Sequence, residues 1–209
     1  MKCALWMVLL ALALPMAAFA SNQVDFTNSG GTLQGTSAGL TLSGSELIAV
    51  NGLNGLGLIT GDLGTVGFST GALTSGTLAW GGTFAGGGSF VIDGNGTGGI
   101  PTGAIFSGTF DGPVTWTMVT LANGTHNYTL SGSLTGTWYN GTTVYGATVQ
   151  LTINTGLKCF TGKAGIASGD TNITVGAVPE PGGLALLGTG LIGGGLIGLA
   201  GLLQRKLST

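Results

Sequence analysis

Between Thr102 and Asn154 the chain alternates apolar and polar side chains with a period of two, the mark of strands with one buried face. Tyr128, Leu130, Gly132, Leu134, Gly136 and Trp138 alternate with Thr129, Ser131, Ser133, Thr135 and Thr137. After Asn140-Gly141 the period resumes, Tyr145, Ala147, Val149, Leu151 and Ile153 alternating with Val144, Gly146, Thr148, Gln150, Thr152 and Asn154. Asn-Gly at 123–124 and 140–141 predicts two-residue hairpin turns, because both central positions of a type I′ turn need positive φ. Asp111-Gly112-Pro113 predicts a reversal between strands over 104–110 and 114–121. The expectation is a four-strand antiparallel hairpin meander. One face carries Phe106, Phe110, Trp116, Tyr128, Leu130, Leu134, Trp138, Val149 and Leu151, and the other is Thr and Ser.

An apolar sheet face needs a cover, and the N-terminal half offers short strand candidates between glycine turns at 24–27, 32–34, 40–42, 47–50, 77–80 and 89–92. Two all-β architectures compete. An antiparallel β-sandwich or partly closed barrel fits the long alternating strands. A β-solenoid would fit the recurrence of Ser-Gly at Ser43, Ser75, Ser107 and Ser131, but the fourth copy falls out of step with the first three. The sandwich or partly closed barrel is favoured. A membrane-spanning barrel is disfavoured, because an apolar helical segment further along would compete with its export route.

Composition then narrows the partners. Between 21 and 176 the acids are Asp25, Glu46, Asp62, Asp93, Asp111 and Asp170, against Lys158 and Lys163. Nucleic acid is excluded as an expected partner, since its phosphates call for clustered Lys and Arg. The recurring Val, Ile, Thr, Phe and Trp distinguish this glycine-rich body from disordered chain.

The two ends read as delivery signals. Residues 1–20 form a signal peptide: Lys2 gives the basic start, 4–14 the apolar core, and Ala18 and Ala20 the small residues that signal peptidase reads before Ser21. The body is expected over 21–176 as one extracytoplasmic β domain. A sorting tail then occupies 177–209. Val178-Pro179-Glu180-Pro181 leads into an apolar run from Leu184 to Leu203, closed by Arg205 and Lys206. A span of about 20 apolar residues crosses a bilayer as a helix, so a transmembrane helix is expected over about 183–203. The basic end favours the cytoplasmic side, leaving the body outside. The two prolines hold the approach to the membrane extended and open to an enzyme.

This tail closely resembles the PEP-CTERM family of sorting signals: the tripeptide Pro179-Glu180-Pro181, a glycine-rich apolar helix and a basic terminus. The resemblance covers about the last 30 residues. It implies recognition by an exosortase, a membrane-embedded cysteine transpeptidase-like enzyme of Gram-negative, matrix-producing bacteria. Cleavage near the motif would follow, with delivery of the body from the inner membrane to the cell surface or extracellular matrix.

Catalytic chemistry finds little footing. His126 is the only histidine, and no Gly-x-Ser-x-Gly elbow supplies a nucleophile. The carboxylates are scattered, and most sit beside Gly or Asn as turn residues do. Asp93-Gly94-Asn95-Gly96-Thr97 starts like a calcium loop but lacks the later glutamate, so a turn is expected. No cofactor and no metal are expected. Cys159, the one cysteine after the leader, is expected to be a small buried residue with no disulfide. The Asn-x-Thr triplets at Asn95, Asn123, Asn127, Asn140 and Asn172 are read as turn and strand residues, with glycosylation open. Tyr139, at a hairpin end, is the best exposed aromatic for contact with a sugar ring. The expected role is a non-catalytic structural or interaction protein, engaging secreted polysaccharide or copies of itself. The alternative is a carbohydrate-binding module that uses Tyr139.

Overall fold

The computed structural model describes residues 22–175. The chain forms the strands β1 (Asn22–Ser29), β2 (Thr32–Thr36), β3 (Gly39–Asn51), β4 (Ile59–Thr60), β5 (Gly64–Ser69), β6 (Leu73–Thr77), β7 (Gly81–Phe84), β8 (Gly87–Asn95), β9 (Thr102–Phe110), β10 (Val114–Thr120), β11 (His126–Trp138), β12 (Thr143–Asn154), β13 (Lys163–Gly165) and β14 (Ser168–Val175). Among the described residues the only helical pieces are single 3-10 turns at Leu53–Gly55 and Thr97–Gly99.

Eight strands close into an antiparallel barrel in the order β1-β3-β5-β8-β9-β11-β12-β14, with β14 returning to β1. The closing seam joins the two ends of the body, Asn22 opposite Val175 and Asn28 opposite Gly169. Closure removes sheet edges, which replaces the sandwich and the solenoid considered above with a full barrel. The expected transmembrane helix at about 183–203 and the leader at 1–20 lie outside the described residues.

The four expected strands of the meander exist, but their order differs. β10 pairs with β11, and β11 with β12, as in a meander. β9 does not pair with β10. It lies against the second half of β11, Phe110 opposite Leu134 and Phe106 opposite Trp138, while β10 pairs with the first half, Trp116 opposite Leu130. The Asp111-Gly112-Pro113 segment therefore moves the chain from the barrel wall to an outer annex rather than making a hairpin. Ser133 Oγ and Thr135 Oγ1 both donate to the Asp111 carboxylate and pin this crossing. Strands β6, β7 and β10 form one side of the annex, and β2 with β13 the other. The 77–80 segment, expected as a strand, is the end of β6 and a turn that exposes Trp80.

Both Asn-Gly hairpins have loops one residue longer than predicted. Gly141 N–H donates to Trp138 O and Trp138 N–H to Thr142 O, each at 2.8 Å; Gly124 and Leu121 repeat the arrangement with Leu121 O and Thr125 O. Only the glycine takes positive φ, 87° at Gly141 and 79° at Gly124. Asn140 and Asn123 keep ordinary φ and turn their Oδ1 to the N–H two residues on. That Asx bond stabilises the three-residue loop with a left-handed glycine over the type I′ turn.

The barrel is filled by side chains, as an eight-strand ring allows. Phe90 lies at the centre of a phenyl cluster, stacked on Phe68 and edge-on to Phe106 and Phe110, with ring centroids 6.0–6.2 Å apart. The rings fit because glycine faces them from the wall. A Cβ on Gly136 would stand 2.7 Å from Phe106 Cζ, and one on Gly132 would stand 2.8 Å from Phe110 Cδ1. The annex extends the same core through Trp116 stacked on Tyr128, with Phe160 edge-on to Trp116. Its polar tips are satisfied: Trp116 Nε1 donates to Leu78 O, Tyr128 Oη donates to Ala79 O, and Tyr128 Oη accepts from Phe160 N–H. Burial pushes the Tyr128 hydroxyl above its ordinary pKa. Every residue of the predicted apolar face is buried.

Candidate functional site

The outer surface of the wall β11-β12-β14-β1 is built in cross-strand rows, because side chains one register apart stand next to each other on the same face. One row runs Thr115, Ser131, Gln150, Asp170, Thr27, and the next Ser133, Thr148, Asn172, Asp25. A third runs Thr117, Thr129, Thr152, Ser168. These are the polar partners of the alternation that places Leu130, Leu134, Val149 and Leu151 inside. The wall is thus apolar within and polar without, the opposite of a membrane-spanning barrel.

A groove of about 420 Å³ crosses the first two rows, lined by Thr115, Ser131, Ser133, Thr148, Gln150, Asp170 and Asn172, with Pro113 at its annex side. Its floor is the backbone of β11 and β12 at Gly132 and Val149, whose own positions face the core. The lining offers hydroxyls, amides and a single carboxylate. Such a set both donates and accepts hydrogen bonds, which suits a neutral polyhydroxylated ligand better than an ionic one.

Asp170 is oriented by Thr27, whose hydroxyl donates to Oδ1 at 3.0 Å, and Asn172 by Gln23, whose amide donates at 2.7 Å. Asp25 lies diagonally across the seam from Asp170. Burial first, and the Asp170 charge second, raise the Asp25 carboxyl above the ordinary carboxylate value. Its Oδ1 is shielded from solvent without a hydrogen-bond partner. This carboxylate pair joins residues almost a whole body apart in sequence and has no sequence signal.

The residues singled out above occupy ordinary places. His126 opens β11 with Nδ1 3.0 Å from Thr120 Oγ1. Asp93 and Asn95 end β8, where Asn95 Oδ1 accepts from Thr97 N–H and its amide donates to Asp62; among the described residues no three His, Cys, Asp or Glu side chains group as metal ligands would. Cys159 is a free thiol, half-buried rather than part of the core. Asn127 pairs across the sheet with Asn154, whose amide donates to it at 2.6 Å.

Tyr139 is exposed, at the end of the barrel away from the annex. Its hydroxyl donates to Asn54 Oδ1 at 2.5 Å, and the ring borders a small cleft with Val24, Gly52 and Val175. The neighbouring Trp138 is tilted against it but turned into the core, edge-on to Phe26. Trp116 is buried and Trp80 sits in the turn after β6, so neither joins Tyr139 in one platform.

The expected cleavage residues Ala18, Ala20 and Ser21, and the expected sorting residues Val178, Pro179, Glu180, Pro181, Arg205 and Lys206, lie outside the described residues. Among the described residues no helix is long and apolar enough to cross a membrane. Comparison with known proteins finds no matching family model, no similar curated protein and no similar solved structure.

Proposed function

We propose that this chain is an exported cell-surface or extracellular-matrix protein, sorted by an exosortase through its 177–209 tail, whose barrel has a non-catalytic structural or interaction role. The signal peptidase would act before Ser21, the Leu184–Leu203 run would hold the precursor in the inner membrane, and Pro179-Glu180-Pro181 would mark it for processing. Extracellular polysaccharide is the ligand class we assign to the polar wall.

The observation that carries the ligand assignment is the hydrogen-bonding groove across β11, β12 and β14, which presents hydroxyls and amides to solvent on a rigid closed barrel. A glycan chain offers the matching hydroxyls, and a preformed site orders few side chains on binding. The near absence of cations speaks against polyanions. Binding of the purified protein to matrix polysaccharide from a producing strain tests this. Gln150→Ala combined with Thr148→Ala is expected to weaken retention at least tenfold, with the fold intact by circular dichroism. Unchanged retention would remove the groove from the account. Release of new reducing ends that disappears in Asp170→Asn would overturn the non-catalytic reading.

The carbohydrate-binding module reading is favoured by one observation, the exposed Tyr139 ring beside its cleft. Loss of binding in Tyr139→Ala, with the groove variants unaffected, would select it.

A further inference from the structure

Both ends of the body emerge at one end of the barrel, where Asn22 pairs with Val175. The 52–58 loop gathers there. A Cβ on Gly52 would lie 2.5 Å from Gln23 O, Asn54 is held by Tyr139, and Val50 pairs with Ile59 just beyond Leu58. Tyr145 is there too: β12 runs antiparallel to β14 with Thr148 opposite Asn172, which carries Tyr145 toward the Val175 end. This end exposes Leu58 at 68%, Tyr145 at 75%, Leu56 at 43% and Tyr139 at 41%.

We propose that, while the tail is still attached, this end of the barrel rests on the bilayer, with Leu56, Leu58, Tyr139 and Tyr145 entering the interfacial region. The inference depends on the reading of Leu184–Leu203 as a membrane span. Residues 176–183 extend at most roughly 30 Å, so an anchored chain holds this end within that distance of the membrane. Tyrosine, with an apolar ring and a polar tip, is enriched at that depth, and leucine side chains gain by leaving water. The far end also exposes apolar side chains, Trp80 and Leu157 among them. It holds Lys158 and Lys163, however, and neither chain end. With the lysines of the described body at the far end, attraction to anionic lipid does not drive the contact. The carboxylate in the loops at the chain-end face, Asp62, is engaged by Asn95. A zwitterionic bilayer is therefore sufficient.

The test uses the full chain in phosphatidylcholine proteoliposomes. A Cys3→Ser, Cys159→Ser background carries one fluorophore, at Leu58→Cys, Tyr145→Cys or Val119→Cys, and part of the lipid bears a nitroxide headgroup. We expect the first two probes to be quenched at least threefold more than the third, with the same ranking at low and high salt. Replacing Leu56 with Ser should reduce quenching at position 145. Equal quenching at all three positions in protein that floats with the vesicles would overturn the proposal and leave the anchor reading standing. Probes at 58 and 145 shielded from an aqueous quencher but not reached by the lipid nitroxide would also overturn it, in favour of a protein covering this end. Protein that fails to float would overturn the anchor reading and the proposal together.

Discussion

The inner and outer surfaces of the β11-β12-β14 wall are made by the same strands, yet they obey different rules. Inside, side chains meet in three dimensions: Phe106 and Phe110 reach over Gly136 and Gly132, and each occupies volume that a Cβ on the glycine would take. Outside, Thr148, Gln150 and Ser131 meet only their lateral neighbours and solvent. The inner surface therefore determines whether the barrel closes, and the outer surface is free to be shaped by what it touches. A substitution on the first should register in stability, and one on the second in binding.

The largest effect is expected at the centre of the phenyl cluster. Phe90→Ala removes a ring packed on Phe68, Phe106 and Phe110, and should cost about 3–5 kcal/mol in urea unfolding. A loss below about 1 kcal/mol would mean that the barrel interior is loosely packed. Tyr128→Phe should cost about 1–3 kcal/mol, because Phe160 N–H loses its acceptor and Ala79 O its donor while the ring stack remains. Thermal unfolding of this variant reports how firmly the annex is tied to the barrel.

Asp25 sits on the outer surface but is half-buried, and burial followed by the Asp170 charge raises its carboxyl, so it blurs the contrast usefully. Its folded-state pKa is raised, so its ionised form is disfavoured in the fold relative to the unfolded chain. The resulting destabilisation is present above the raised value and is relieved as pH falls through it. Asp25→Asn should raise the melting temperature near neutral pH and flatten its rise on mild acidification. A lower melting temperature at neutral pH would show that the carboxylate stabilises the seam. The smallest stability change belongs to Gln150→Ala and Thr148→Ala, expected within about 0.5 kcal/mol of the unaltered protein.

What the sequence disclosed follows the same division. The period of two correctly separated buried Leu130, Leu134, Val149 and Leu151 from the Thr and Ser face, because alternation is a local consequence of the pleat. The alternation failed at the start of β12, where a bulge at Gly146 (φ 68°) reverses the phase, exposing Tyr145 and burying Val144. It could not disclose that β9 and β10 each pair with a different half of β11 and not with each other, since alternation fixes a strand's faces and not its neighbours. Closure was equally hidden. The Thr27–Asp170 bond spans 143 residues, so the half of the polar wall given by Asp170, Asn172 and Asp25 had no local signature. β5 and β14 escaped notice because glycine and polar residues interrupt the apolar rhythm, Gly64 and Gly67 in the first and Gly169 with Thr171 in the second. At Asn140-Gly141 the hairpin was legible and its loop length was not, because the same dipeptide fits both a type I′ turn and a three-residue loop in which the Asx bond to Thr142 keeps asparagine at ordinary φ. Tyr139 is exposed, since the residue after the last strand position projects from the barrel end, but it is not the best exposed aromatic: Trp80 and Tyr145 are both more exposed.

The central claim is that the body is delivered outside the cell and sorted through its tail. Intact mass and location of the mature protein, compared between cells with and without a functional exosortase, test it most directly. The account predicts a chain beginning near Ser21 and lacking the segment beyond the Pro179-Glu180-Pro181 region, found at the surface or in the matrix of competent cells only. A full-length tail on membrane-bound protein in both strains would contradict it.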